Sequence, residues 1–115
     1  MLKRRLNRVL PPPPGCALSL CVRYLRGAWT ANILWYLKHQ PRRFSELRGD
    51  LPGISSKVLA QRLRRLEEDG LVARLRARSS PVSIEYSLTD LGLDIQPALA
   101  VLVIVGEKIK RRSLS

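Results

Sequence analysis

At Gly70 the spacing of apolar residues changes, and this restricts the fold more than any other feature of the chain. Before it, Leu59, Leu63 and Leu66 recur at the three- and four-residue intervals of a single helix face. After it, side chains alternate as they do in strands. In residues 71–78, Leu71, Ala73, Leu75 and Ala77 oppose Val72, Arg74, Arg76 and Arg78. In residues 82–88, Val82, Ile84, Tyr86 and Leu88 oppose Ser83, Glu85 and Ser87. Ser79-Ser80-Pro81 separates the two runs, which together read as a β-hairpin. Gly70 suits the left-handed backbone that ends a helix.

Upstream, Leu25, Trp29, Ile33 and Leu37 line one face of a helix over Trp29–Lys38, and Pro41 ends it. A weaker helical pattern covers residues 16–26. Arg42-Arg43-Phe44 is long enough only for a bridge strand. Ser45 can cap a short helix from Glu46 to Asp50. Leu51-Pro52-Gly53 makes a tight turn, and Ser55 or Ser56 caps the next helix, which runs to about Asp69. Thr89 caps a last helix from Asp90 to about Arg112, with Pro97 as a kink. Two helices joined by a tight turn and followed by a hairpin form a winged helix-turn-helix. The expected fold is therefore mainly α with a small β-hairpin (α+β), an arrangement used chiefly to read DNA.

The charge points the same way. Among 115 residues, 21 Lys and Arg face 9 Asp and Glu, a net +12. So basic a domain calls for an anionic partner, nucleic acid or an anionic membrane surface. The expected organisation is a basic, Pro-rich, disordered tail over residues 1–15, one domain over 16–112 and a tail over 113–115. Lys3, Arg4, Arg5 and Arg8 make the first tail either a solvated arm or an arm on DNA phosphate. The apolar run Ala98–Val105 is far short of a membrane span. Pro11–Pro14 break what a secretory signal would need as helix, and cysteine is confined to Cys16 and Cys21. A cytoplasmic protein is expected.

On a helical wheel, Leu59, Leu63 and Leu66 face the core, while Lys57, Gln61, Arg64 and Arg65 lie opposite and Arg62 on the flank. Cations neutralise phosphates, and Gln, Arg or Lys can pair with base edges in the major groove. Ser55 and Ser56 stand at the helix end that enters the groove. The alternative is a solvated face stapled by the i,i+4 pairs Arg64–Glu68 and Arg65–Asp69. The acids Glu67, Glu68 and Asp69, however, cluster at the far end. Arg74, Arg76 and Arg78 share one hairpin face and can follow the backbone or minor groove, or guard the strand edge. Arg42, Arg43 and Ser45 complete the DNA-contact candidates.

No cofactor, metal or catalytic site is expected. Two cysteines and the single His39 do not make a tetrahedral metal set, and no phosphate-cradling Gly-rich loop is present. His39 is expected at the surface. Leu99 and residues 101–105 are apolar nearly all round, more than one small domain covers, so a second chain is expected. The N-terminal helix, with Leu18, Leu20, Val22 and Leu25, is the expected partner surface. The alternative is a core closed within one chain.

Several blocks together resemble HxlR-type transcriptional regulators. They are Gly27-Ala28-Trp29-Thr30, Pro41-Arg42-Arg43-Phe44-Ser45-Glu46-Leu47, Leu51-Pro52-Gly53-Ile54-Ser55 and Lys57-Val58-Leu59. Gln61-Arg62-Leu63-Arg64, Leu66-Glu67-Glu68-Asp69-Gly70-Leu71-Val72, Glu85-Tyr86-Ser87-Leu88-Thr89, Leu91-Gly92 and Gly106-Glu107 follow in order. Where the family often has Cys-Pro, this chain has Cys16-Ala17, and Val105 replaces a common aromatic.

The resemblance implies a homodimeric winged helix-turn-helix with N- and C-terminal dimerisation helices, binding double-stranded DNA at inverted-repeat operators. It further implies a response to redox or electrophile stress, with Cys16 at the position of the family's sensor thiol. The small-molecule inducer is unknown. The alternative for Cys16 is an inert small hydrophobe, and Cys21, in apolar sequence, is expected in the core. Cys16 and Cys21 are too far apart on a helix to bond. Two rival functions remain: a winged-helix protein-interaction module with only non-specific nucleic-acid binding, and a membrane-surface protein using the tail and last helix.

Overall fold

The computed structural model describes residues 15–77 and 83–114. The elements run α1 (Ala17–Leu25), α2 (Thr30–Tyr36), β1 (Arg42–Arg43), α3 (Phe44–Asp50), α4 (Ser56–Glu68), β2 (Val72–Ala77), β3 (Ser83–Leu88), α5 (Asp90–Asp94) and α6 (Gln96–Ser113). The antiparallel sheet has the order β1-β3-β2, with Arg42 opposite Tyr86 and Val72 opposite Leu88.

The core sits where α2, α3 and α4 meet the base of the sheet. Ile33, Leu34, Leu37, Leu47, Leu59, Leu63, Leu66, Leu71 and Val72 are all buried. Each such side chain removed from water stabilises the fold by about 1.5–3 kcal/mol. Helix α4 is amphipathic as its spacing requires, burying Leu59, Leu63 and Leu66. Its N-cap is Ser55, whose hydroxyl accepts the Val58 N–H at 3.1 Å. Gly70, at φ 78°, ends it.

Several boundaries differ from the sequence expectation. Helix α2 starts at Thr30, because Trp29 takes a left-handed φ of 76°. Helix α3 begins at Phe44, and its first turn is closed by Glu46, whose Oε1 accepts the Arg43 N–H at 2.8 Å, leaving Ser45 inside the helix.

Pro97 does not kink one long helix. The chain breaks at Ile95 into α5 and α6, and Pro97 lies in the first turn of α6. Proline there forgoes an N–H that would have no intrahelical partner, whereas a continuous helix would lose that bond and clash one turn back. Thr89 caps α5, accepting the Gly92 N–H at 3.1 Å and donating to the Gly70 carbonyl at 2.6 Å.

Strand β2 departs from a simple two-faced reading. Val72, on the arginine side, is buried, whereas Leu75 is 45% exposed. Cross-strand partners share a face, and the register sets Arg74 opposite Tyr86 and Arg76 opposite Ile84. The arginines therefore continue the core-facing side of the hairpin past the point where the core ends. The tip, including Arg78, and the tail over 1–14 fall outside the described residues.

Helix α6 leaves the core quickly. Leu99 is its one buried residue, while Val101, Leu102, Val103, Ile104, Val105 and Ile109 are exposed. Helix α1 buries none of its residues, and Leu18, Leu20 and Val22 are exposed. Among the described residues, the chain does not close a core over this face of α6. No helix among the described residues is long and apolar enough to cross a membrane.

Candidate nucleic-acid interface

Helix α3, the turn at residues 51–55 and helix α4 form the helix-turn-helix, and β2–β3 form the wing. The first turn of α4 carries no acid. Ser56, Lys57, Gln61 and Arg64 are exposed along α4. Arg43, Ser45 and Ser55 are exposed beside it, and Arg76 is exposed on the wing. The hydroxyl of Ser55 is engaged in the cap.

Three of the expected DNA contacts have their guanidinium groups turned inward. Arg42 donates from Nε and Nη2 to the two carboxylate oxygens of Asp50, each at 3.0 Å, with Glu46 3.8 Å from Nη1. Arg62 Nε donates to the Ala28 carbonyl at 2.8 Å. Arg65 Nη2 donates to the Arg26 carbonyl at 2.6 Å. All three are half-buried. The wheel had set Arg65 opposite the core, but α1 and the turn after it cover that flank of α4. Neither Arg64–Glu68 nor Arg65–Asp69 pairs among the described residues.

A polar cleft of about 200 Å³ opens between α4 and the hairpin, lined by Ala60, Leu63, Arg64, Glu67, Arg74 and Tyr86. Tyr86 was legible only as part of an apolar alternation. Its place beside Arg64 and Arg74 depends on how the hairpin folds back over α4, which sequence spacing does not encode.

Cys16 is the N-cap residue of α1 and is half-buried. Its thiol is held below the ordinary thiol range by the backbone N–H of Ser19 and then that of Leu18, which favour the thiolate. Cys21 is exposed rather than in the core. It lines an apolar cleft of about 390 Å³ between α1 and α5, with Leu20, Tyr24, Leu71, Leu91, Asp94 and Ile95. Helix α1 meets the core only through its last residues, the partly buried Tyr24 and Leu25, so apolar sequence earlier in the helix did not mean burial. His39 is exposed. Among the described residues, no three His, Cys, Asp or Glu side chains gather as a metal site.

A helix-turn-helix with its second helix presenting cations and an amide, flanked by a basic hairpin, defines the winged helix-turn-helix class of transcriptional regulators. Within that class the chain belongs to the HxlR-like helix-turn-helix family, which matches residues 24–113. The HTH-type transcriptional regulator YkvN of Bacillus subtilis is 38% identical over 85 residues, spanning 74% of this chain and 72% of that protein. A MarR-family regulator from Porphyromonas gingivalis W83 superposes with a TM-score of 0.79 at 29% identity, covering 87% of this chain and 97% of that one. The redox regulator HypR in its reduced form gives a TM-score of 0.75 at 29% identity, covering 81% and 92%.

Proposed function

We propose that the protein is a sequence-specific DNA-binding regulator that acts as a homodimer on an inverted-repeat operator. One observation carries the reading: the exposed side of α4 presents Ser56, Lys57, Gln61 and Arg64 with no acid in its first turn, alongside Arg43 and Arg76. On this reading Gln61 and Arg64 meet base edges, while Lys57, Arg43, Arg76 and Arg78 meet phosphate. The uncovered apolar surfaces of α6 and α1 support a second copy as the partner. Two copies would present two α4 helices to half-sites about one helical turn, or a multiple, apart. The thiolate-favouring position of Cys16, and the likeness to a redox regulator, support control by oxidants or electrophiles.

The test is selection from genomic fragments, followed by binding constants for the selected duplex and a scrambled one. Preference of roughly a thousandfold or more for an inverted repeat is the expected result. Gln61→Ala then relaxes sequence preference, whereas Arg76→Ala weakens all duplexes alike. Equal binding to both duplexes with steep salt dependence would instead mean a backbone grip without readout, the property of an interaction module.

A further inference from the structure

Helix α4 is fastened to the end of α1 by two of its own arginines. Arg62 Nε donates to the Ala28 carbonyl at 2.8 Å, and Arg65 Nη2 donates to the carbonyls of Arg26 at 2.6 Å and Arg23 at 3.5 Å. These acceptors lie at the C-terminal end of α1 and in the turn to α2. Carbonyls at a helix end lack intrahelical partners and carry partial negative charge, which a guanidinium satisfies. The Arg26 carbonyl also accepts the hydroxyl of Thr30 at 2.9 Å, and Thr30 is only 1% exposed. The turn itself is shaped for this contact: Gly27 holds φ 96°, and a Cβ there would lie 3.2 Å from Arg62 Nε.

We infer that Arg62 and Arg65 are positioning residues for operator recognition, setting α4 against α1 rather than meeting phosphate. This rests on the reading of α4 as the DNA-reading helix. The two residues are three apart and share a helix face, half-buried, while Lys57, Gln61 and Arg64 stay exposed. Base readout needs donors held within a fraction of an ångström, and phosphate contact tolerates more. Losing the fastening therefore costs discrimination and leaves the non-specific grip intact.

The test measures Arg62→Met and Arg65→Met, singly and together, on the selected operator and the scrambled duplex over a salt series. The expected result for the double variant is operator affinity lower by about tenfold or more. Scrambled-duplex affinity and its salt slope stay at the wild-type values. Lys57→Ala, by contrast, removes one phosphate contact and flattens the slope of log affinity against log salt by about 0.9. A slope reduced by about 0.9 for each of Arg62 and Arg65 would overturn the inference. If the double Met variant does not fold, Arg62→Lys with Arg65→Lys retains both charges but not the planar fork. Operator-only loss in that variant supports the fastening, and unchanged operator affinity overturns it. A wild-type protein that does not distinguish the two duplexes overturns the reading of α4 itself, and that result is visible before any variant is made.

Discussion

Arg42 grips Asp50 through two parallel hydrogen bonds, Nε to Oδ2 and Nη2 to Oδ1, both 3.0 Å long. The pair joins β1 to the last residue of α3 and so ties the sheet edge to the first helix of the helix-turn-helix. Both side chains are about one-fifth exposed, so the bidentate contact is only partly screened. Asp50→Ala is expected to lower unfolding free energy by about 1–2 kcal/mol, measured by urea titration. It also releases a cation near the DNA-facing surface, so binding to a scrambled duplex should strengthen, with a steeper salt slope. Weaker binding to that duplex in a folded Asp50→Ala protein would contradict this account.

Gly92 passes so close to the backbone of Leu71 that a Cβ there would overlap the Leu71 carbonyl oxygen and crowd Leu88. The overlap is with backbone, which cannot swing aside as a long side chain can. Gly92→Ala is expected to destabilise by roughly 2–4 kcal/mol through overpacking at the start of α5. Gly49, inside α3, has nothing within 4 Å of an added Cβ. Gly49→Ala should be neutral or stabilising by up to about 1 kcal/mol. Thermal melts of both variants against wild type decide the matter.

The apolar surface of α6 supplies a separate test of assembly. Val101 and Ile104 are each 57% exposed. On the dimer reading, Ile104→Glu introduces an unpaired charge into the interface and shifts sedimentation from dimer to monomer. Operator affinity should fall sharply, because the two half-sites are then bound independently. Sedimentation of wild type and variant at one identical mass would place the interface elsewhere.

Cys16 yields a pH prediction. In a Cys21→Ser variant, the pH midpoint for iodoacetamide alkylation of Cys16 should lie below the ordinary thiol value of about 8.5 and rise on unfolding in urea. The cause is the pair of backbone N–H groups at the start of α1. Because the folded pKa is the lower one, thiolate formation stabilises the fold above the unfolded pKa. That contribution is lost as pH falls through the folded value. A midpoint unchanged by unfolding would eliminate the helix-end cause.

Much of the fold was legible because local spacing encodes it. Leu59, Leu63 and Leu66 mark the buried side of α4, Ser55 and Gly70 bracket that helix, and the alternation after Gly70 marks the hairpin. These signals depend on residues a few positions apart, whose relative directions follow from helix and strand geometry alone. The exposed candidates Lys57, Gln61 and Arg64 were legible for the same reason.

What the linear order left undecided is which cations remain free. Arg62 and Arg65 meet carbonyls more than thirty residues away, and Arg42 meets a carboxylate eight residues on. A wheel assigns such side chains a direction but cannot say what other element arrives there. By itself, then, the sequence determined most of the elements, though not the break at Ile95 between α5 and α6, together with the basic character of the second helix and wing and the likeness to one regulator family. Only the tertiary structure separated arginines offered to solvent from arginines that hold α4 and β1 in place. The reason is physical: a guanidinium's role depends on the nearest acceptor, and these acceptors are brought near only by packing.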